Sequence, residues 1–165
     1  MNIKNITLRE EKKYLRYWPI VVFYAVVLAL SYITIGLTGD HFMAHFMGWT
    51  LVLFGLLKLE DIESFAQGFR RYDFIASKNE LYAKAYPALE VILGVFYIIN
   101  ILIIPTTFVV LMVYLSTVAG IYSKLNKGEL IDCLCLGSRF RLPLSVIAIF
   151  ESGVMLAMAV WMLFM

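Results

Sequence analysis

The sequence predicts an all-α protein, a polytopic bundle of transmembrane helices. Two features of composition and one of patterning carry that class. Of 165 residues, 62% are hydrophobic, where a soluble domain has ~45–50%. Charged residues are 16%, against about 25% in soluble domains, and mean hydropathy is +0.83. A chain this short cannot hide the surplus in a larger soluble core, so lipid is the natural solvent for it. The apolar residues also fall into five runs near the ~20 residues a spanning helix needs. The formal net charge of +2 gives no basis for nucleic-acid binding.

The five runs follow in order. The charged stretch Met1–Arg16 reads as a cytosolic basic leader. The apolar run behind it is too long for a signal-peptide core, and Gly36-Leu37-Thr38-Gly39 is a poor cleavage site, so no cleaved signal is expected. Lys4, Arg9, Lys12, Lys13 and Arg16 suit either a surface helix on anionic headgroups or a solvated tail. The first span is Trp18–Leu37, closed by Thr38-Gly39-Asp40. The second, His41–Leu57, is the shortest. The third, Tyr86–Ile104, opens at Pro87, a residue suited to a helix first turn. Asn100 and Pro105 mark a tight turn to the fourth, Thr106–Leu125. The fifth is Leu142–Met165, with Pro143 at its start. In lipid the backbone must bond internally, which makes helices of all five. The domain reading is a leader over 1–16, an additional helix over 17–40 and a four-helix module over 41–165.

Five spans make the polarity testable. The leader carries five basic residues. Lys58, Arg70, Arg71, Lys78 and Lys84 lie in the segment Lys58–Lys84, and Lys124, Lys127, Arg139 and Arg141 in the loop after helix four. Together these are all 14 Lys and Arg, and all fall on one side. The other side has Asp40, His41 and His45. The positive-inside rule then places the N-terminus in the cytosol and the C-terminus outside, in a bacterial cytoplasmic membrane. Within Lys58–Lys84, Ile62, Phe65, Ala66 and Phe69 have helical spacing. They predict an amphipathic helix lying in the headgroup region.

The chain's two cysteines are Cys133 and Cys135. Random placement gives a separation of two on the order of one time in a hundred, so the pair is a signal. Lys124, Lys127, Arg139 and Arg141 favour thiolate, and Asp132 opposes it. Three chemistries fit. The pair can exchange disulfides with a partner dithiol, as a strained and relatively oxidising Cys-x-Cys disulfide. It can hold a soft ion such as Cu(I), or share Zn(II), although no third ligand is near. Or the cysteines are small buried hydrophobes.

Two carboxylates fall inside predicted spans: Glu90 in helix three and Glu151 in helix five. A charge at mid-bilayer costs ~2.5–3.5 kcal/mol on insertion scales, which makes such residues functional candidates. Both could face a cavity shared with the cysteines and take up protons during thiol exchange. Equally, each could bond a neighbouring helix, for instance at Lys58 or Tyr86. Lys58 suits the C-terminus of helix two. Asp73 stands beside Arg70, Arg71 and Tyr72, and both it and Lys58 read as structural first. His41 and His45 share a helix face, without the carboxylate that a metal site would add.

The blocks Phe54-Gly55-Leu56-Leu57-Lys58-Leu59, Phe65-Ala66-Gln67-Gly68-Phe69 with Tyr72-Asp73, Tyr86-Pro87-Ala88-Leu89-Glu90 with Gly94, and Cys133-Leu134-Cys135-Leu136-Gly137 resemble the MauE/DoxX family of redox-associated membrane proteins. The resemblance runs from about Gly48 to the C-terminus. It implies a four-helix module, with Trp18–Leu37 added before it. It implies a redox role for Cys133 and Cys135, a redox-active disulfide in place of any other cofactor, and Lys58, Asp73 and Glu90 as matching polar positions. The methylamine-utilisation branch is linked to maturation of methylamine dehydrogenase beside a thioredoxin-like partner, and the DoxX branch to membrane oxidoreductase complexes. The expected function is therefore thiol–disulfide relay, with Cys133, Cys135 and Glu90 reactive and Lys58, Asp73, Tyr86 and Glu151 supporting. The competing expectation is a transporter or soft-metal handler, with Cys133 and Cys135 as ligands and the buried glutamates lining a path. Homo- or hetero-oligomers fit either. The topology puts the cysteines on the cytosolic side, where thiols are kept reduced. That suits relay of reductant better than disulfide delivery to an exported enzyme.

Overall fold

Among the described residues every regular element is a helix. The computed structural model describes residues 3–39, 42–126 and 145–164. Side chains at 3–17, 19, 38, 124, 125 and 145–151 lie outside the description. Six helices follow in order: α1 (Ile3–Thr38), α2 (Phe42–Glu60), α3 (Ile62–Phe69), α4 (Glu80–Ile98), α5 (Ile103–Asn126) and α6 (Ser145–Phe164). Four have apolar stretches long enough to cross a membrane: Ile20–Leu37, Phe42–Glu60, Glu80–Ile98 and Ile103–Ser123. The fifth expected span falls on α6, a helix of 20 residues, of which the described stretch Ser152–Phe164 is a shorter apolar helix.

Several boundaries differ from expectation for physical reasons. Leader and first span form one helix, α1, rather than a surface segment and a separate span. Pro87 is inside α4, not in its first turn. The helix begins at Asn79, whose side chain accepts from the N–H groups of Leu81 (3.0 Å) and Tyr82 (3.3 Å). Counting apolar residues misses that opening turn because it is charged. There Lys84 bonds Glu80 at 3.2 Å, one turn away. The amphipathic segment is α3, capped by Asp61 accepting from Ser64 N–H at 3.2 Å. Its apolar face is not turned to headgroups. Phe65, Ala66 and Phe69 are buried in the protein core, with the Phe69 ring 4.4 Å from that of Tyr86.

Helices α2 and α4 form the centre of the bundle. Their contact is backbone against backbone, at glycines. A Cβ on Gly48 would lie 2.8 Å from the Gly94 carbonyl, and one on Gly55 2.8 Å from the Pro87 carbonyl. A Cβ on Gly94 would lie 2.6 Å from the Gly48 carbonyl. Small residues at membrane helix interfaces allow this approach, which dispersion then rewards. Helix α1 lies on the outer flank of α2, where Phe23 and Phe54 pack with centroids 4.0 Å apart. Between α4 and α5 the chain reverses through Asn100 (φ 57°) and Leu102 (φ 54°). Asparagine tolerates this left-handed conformation, and leucine is strained by it. The buried Tyr97 hydroxyl donates to Thr107 Oγ1 at 2.8 Å, tying the two helices beyond the turn. Helix α6 joins the core through Met155 and Ala159.

Candidate functional site

The close approach of α2 and α4 sets two charged side chains against each other inside the bundle. Lys58 Nζ donates to both carboxylate oxygens of Glu90, at 2.7 Å each. The side chains are 5% and 1% exposed, so neither charge is solvated by water. A third helix contributes Tyr114, whose hydroxyl donates to Glu90 Oε1 at 3.4 Å. Three rings surround the ammonium: Tyr86 at 5.3 Å, Phe65 at 5.5 Å and Phe54 at 5.9 Å from Nζ to centroid. Each offers a negative π face to a cation without water. Lys58 lies in the last turn of α2 and Glu90 lies on α4 between Pro87 and Val91, the residues that face Gly55 one turn earlier.

Beyond the ion pair, α3, the turn after it and the opening of α4 build an aromatic layer from Phe65, Phe69, Tyr72, Tyr82 and Tyr86. It covers Lys58 from that end of the bundle. Asp73 follows this layer and is 1% exposed. Its Oδ1 accepts from the N–H groups of Ile75 and Ala76, both at 2.9 Å. Its Oδ2 accepts from Ser116 Oγ at 3.1 Å and Thr117 Oγ1 at 3.4 Å on α5. Asp73 thus fixes its own turn and pins it to α5. Gly120 leaves room there for the Tyr72 carbonyl, which any side chain would strike.

The structure therefore brings together Lys58, Tyr86 and Glu90, and sets Asp73 on the neighbouring side of the aromatic layer. Cys133 and Cys135 lie outside the described residues, as does His41. Glu151 is in α6, with its side chain outside the description. His45 is fully buried in α2. Among the described residues no cluster of three or more His, Cys, Asp or Glu could hold a metal. The sequence reading missed Tyr114, Ser116 and Thr117. Hydroxyl residues in an apolar helix are too ordinary to signal a partner, and these partners lie 24 to 44 positions away.

Fold and site together define a multi-pass helical membrane protein, built around a buried lysine–glutamate pair. The family model described as Methylamine utilisation protein MauE matches residues 38–165, and the chain belongs to that family. Comparison with curated proteins gives no match. Comparison with solved structures gives none either.

Proposed function

We propose that the chain is a membrane thiol–disulfide redox protein of methylamine utilisation, working through Cys133 and Cys135. One observation carries the reading: the chain's two cysteines are two residues apart, within the family match. Their place along the chain supports it. Helix α5 passes Glu90 at Tyr114, passes the Asp73 turn at Ser116–Gly120, and continues in the same direction to Asn126. Cys133 follows seven residues later, so the chain leaves for the cysteines at the aromatic end of the bundle.

The reaction is exchange in two displacements. One cysteine thiolate attacks a disulfide in the acceptor and forms a mixed disulfide. The second thiolate attacks the cysteine sulfur of that mixed bond. Cys133–Cys135 is then the disulfide, and the acceptor has gained two electrons and, from water or a protein acid, two protons. A thioredoxin-like dithiol reverses the sequence and reloads the pair. Glu90 is the candidate proton group, with Lys58 and Tyr114 setting its position and Glu151 a further carboxylate in α6. The one-sided pattern of Lys and Arg supports a topology with the N-terminus and the cysteines in the cytosol and the C-terminus outside, in a bacterial cytoplasmic membrane. A pair on that side suits relay of reductant.

The test is Cys133→Ser/Cys135→Ser in cells whose growth on methylamine depends on this protein. Loss of growth, with the variant still present in the membrane, is expected. Full growth would sink the reading. Stoichiometric copper or zinc in the purified protein would replace it with soft-metal handling.

A further inference from the structure

The amphipathic pattern that points to a lipid surface is satisfied inside the protein by α3. The next segment, Arg70–Asn79, is not helical, and it exposes apolar side chains where α3 hides its own. Phe74 is 54% exposed and Ile75 46%. They stand together at the tip of a turn whose neighbours Tyr72 and Ala76 are buried. This tip is rigid. Asp73 caps it with two hydrogen bonds and anchors it to α5 with two more.

Its depth follows from those anchors. The apolar stretch of α5 ends at Ser123. The turn is held at Ser116, Thr117 and Gly120, three to seven residues earlier. At 1.5 Å per residue that is roughly 4–10 Å inside the end of the apolar stretch. Where the apolar stretch of α5 marks the hydrocarbon core by composition, this level corresponds to the boundary of headgroups and acyl chains. The backbone is prepared for it. The N–H groups of Arg70 through Asp73 and of Ile75 through Asn79 all donate within the protein. Irregular chain near lipid requires such internal bonding. The flanks complete the pattern. Arg70 is engaged by Glu80 at 3.0 Å, whereas Arg71 and Lys78 are exposed and form no ion pair among the described residues.

We propose that this turn is a lipid-binding wedge: Phe74 and Ile75 enter the acyl boundary, and Arg71 and Lys78 hold the phosphate of an anionic phospholipid. The assignment stands independently of the cysteine chemistry. A basic residue near an anionic surface is worth about fivefold in partition, so two cations select anionic over zwitterionic lipid.

Two measurements on the full-length protein test this. In the first, Phe74→Cys and, as a lipid-facing reference, Met112→Cys are spin-labelled on a Cys133→Ser/Cys135→Ser background in phosphatidylcholine/phosphatidylglycerol bilayers. At 74, as at 112, oxygen is expected to collide with the label more often than a water-soluble nickel chelate does. Preferential access of the chelate would overturn the wedge and make the tip a solvated or protein-docking surface. In the second, the native-cysteine protein is purified from nanodiscs of the same mixture and its bound lipid counted by mass spectrometry. Arg71→Gln/Lys78→Gln is expected to lose phosphatidylglycerol enrichment several-fold while its melting temperature in pure phosphatidylcholine stays unchanged. Unchanged enrichment would overturn the phosphate assignment.

Discussion

Lys58 and Glu90 illustrate what a buried charge needs. Neither could stand alone at this depth, since an unpaired charge without water costs several kcal/mol. Here both carboxylate oxygens take the ammonium, a tyrosine adds a third bond, and three rings complete the enclosure. Glu90→Ala should therefore destabilise the protein by ~3–5 kcal/mol, because Lys58 is left buried without its anion. Lys58→Met/Glu90→Met should recover most of that loss, since apolar pairs of similar volume often replace buried ion pairs at little cost. Thermal unfolding in lipid nanodiscs reads both. A double variant as unstable as the single one would contradict the account. A stable double variant that cannot support growth would give the pair a functional role beyond packing. The pairing itself was half legible: a lysine ending one helix and a glutamate inside another invite it, and Lys58 was one of two partners the pattern allowed. Tyr114 was not legible, because nothing in an apolar run distinguishes a tyrosine that reaches a carboxylate from one that meets lipid.

At the scale of the element, glycine spacing governs how α2 meets α4. Gly48 and Gly55 stand two turns apart on α2, and each touches a carbonyl of α4. Gly55→Ala or Gly94→Ala must push backbone away from backbone, which costs about 1–3 kcal/mol in a tightly packed interface. Gly153→Ala in α6 meets nothing within 4 Å among the described residues and should be neutral or slightly stabilising. Melting temperatures of the three variants in one lipid check this; a Gly153→Ala loss equal to that of Gly55→Ala would contradict it. Hydrophobicity locates the membrane-buried part of these helices well. It misplaces their ends, because caps such as Asn79 and paired charges such as Glu80 and Lys84 extend a helix past its apolar run. It also cannot tell which solvent an amphipathic face meets. The face of α3 meets protein because Tyr82 and Tyr86, on α4 beyond the Asp73 turn, supply a surface for it.

At the scale of the whole molecule, the patterning of charge carries an expectation of polarity that no helix boundary carries. On the five-span path expected from the sequence, all 14 Lys and Arg are assigned to one side. The structure adds that the Lys58–Glu90 pair, the aromatic layer, the Asp73 turn and the C-terminal end of α5 all belong to one end of the bundle. The central claim is that this end carries an exchangeable dithiol facing the cytosol. The most direct test labels Cys133 and Cys135 with a membrane-impermeant maleimide in cells before and after permeabilisation. The account predicts no labelling of intact cells and full labelling after permeabilisation without added reductant. That labelling should be lost on treatment with a thiol oxidant and restored by dithiothreitol. Labelling of intact cells, or protection that only reductant removes in untreated cells, would contradict it.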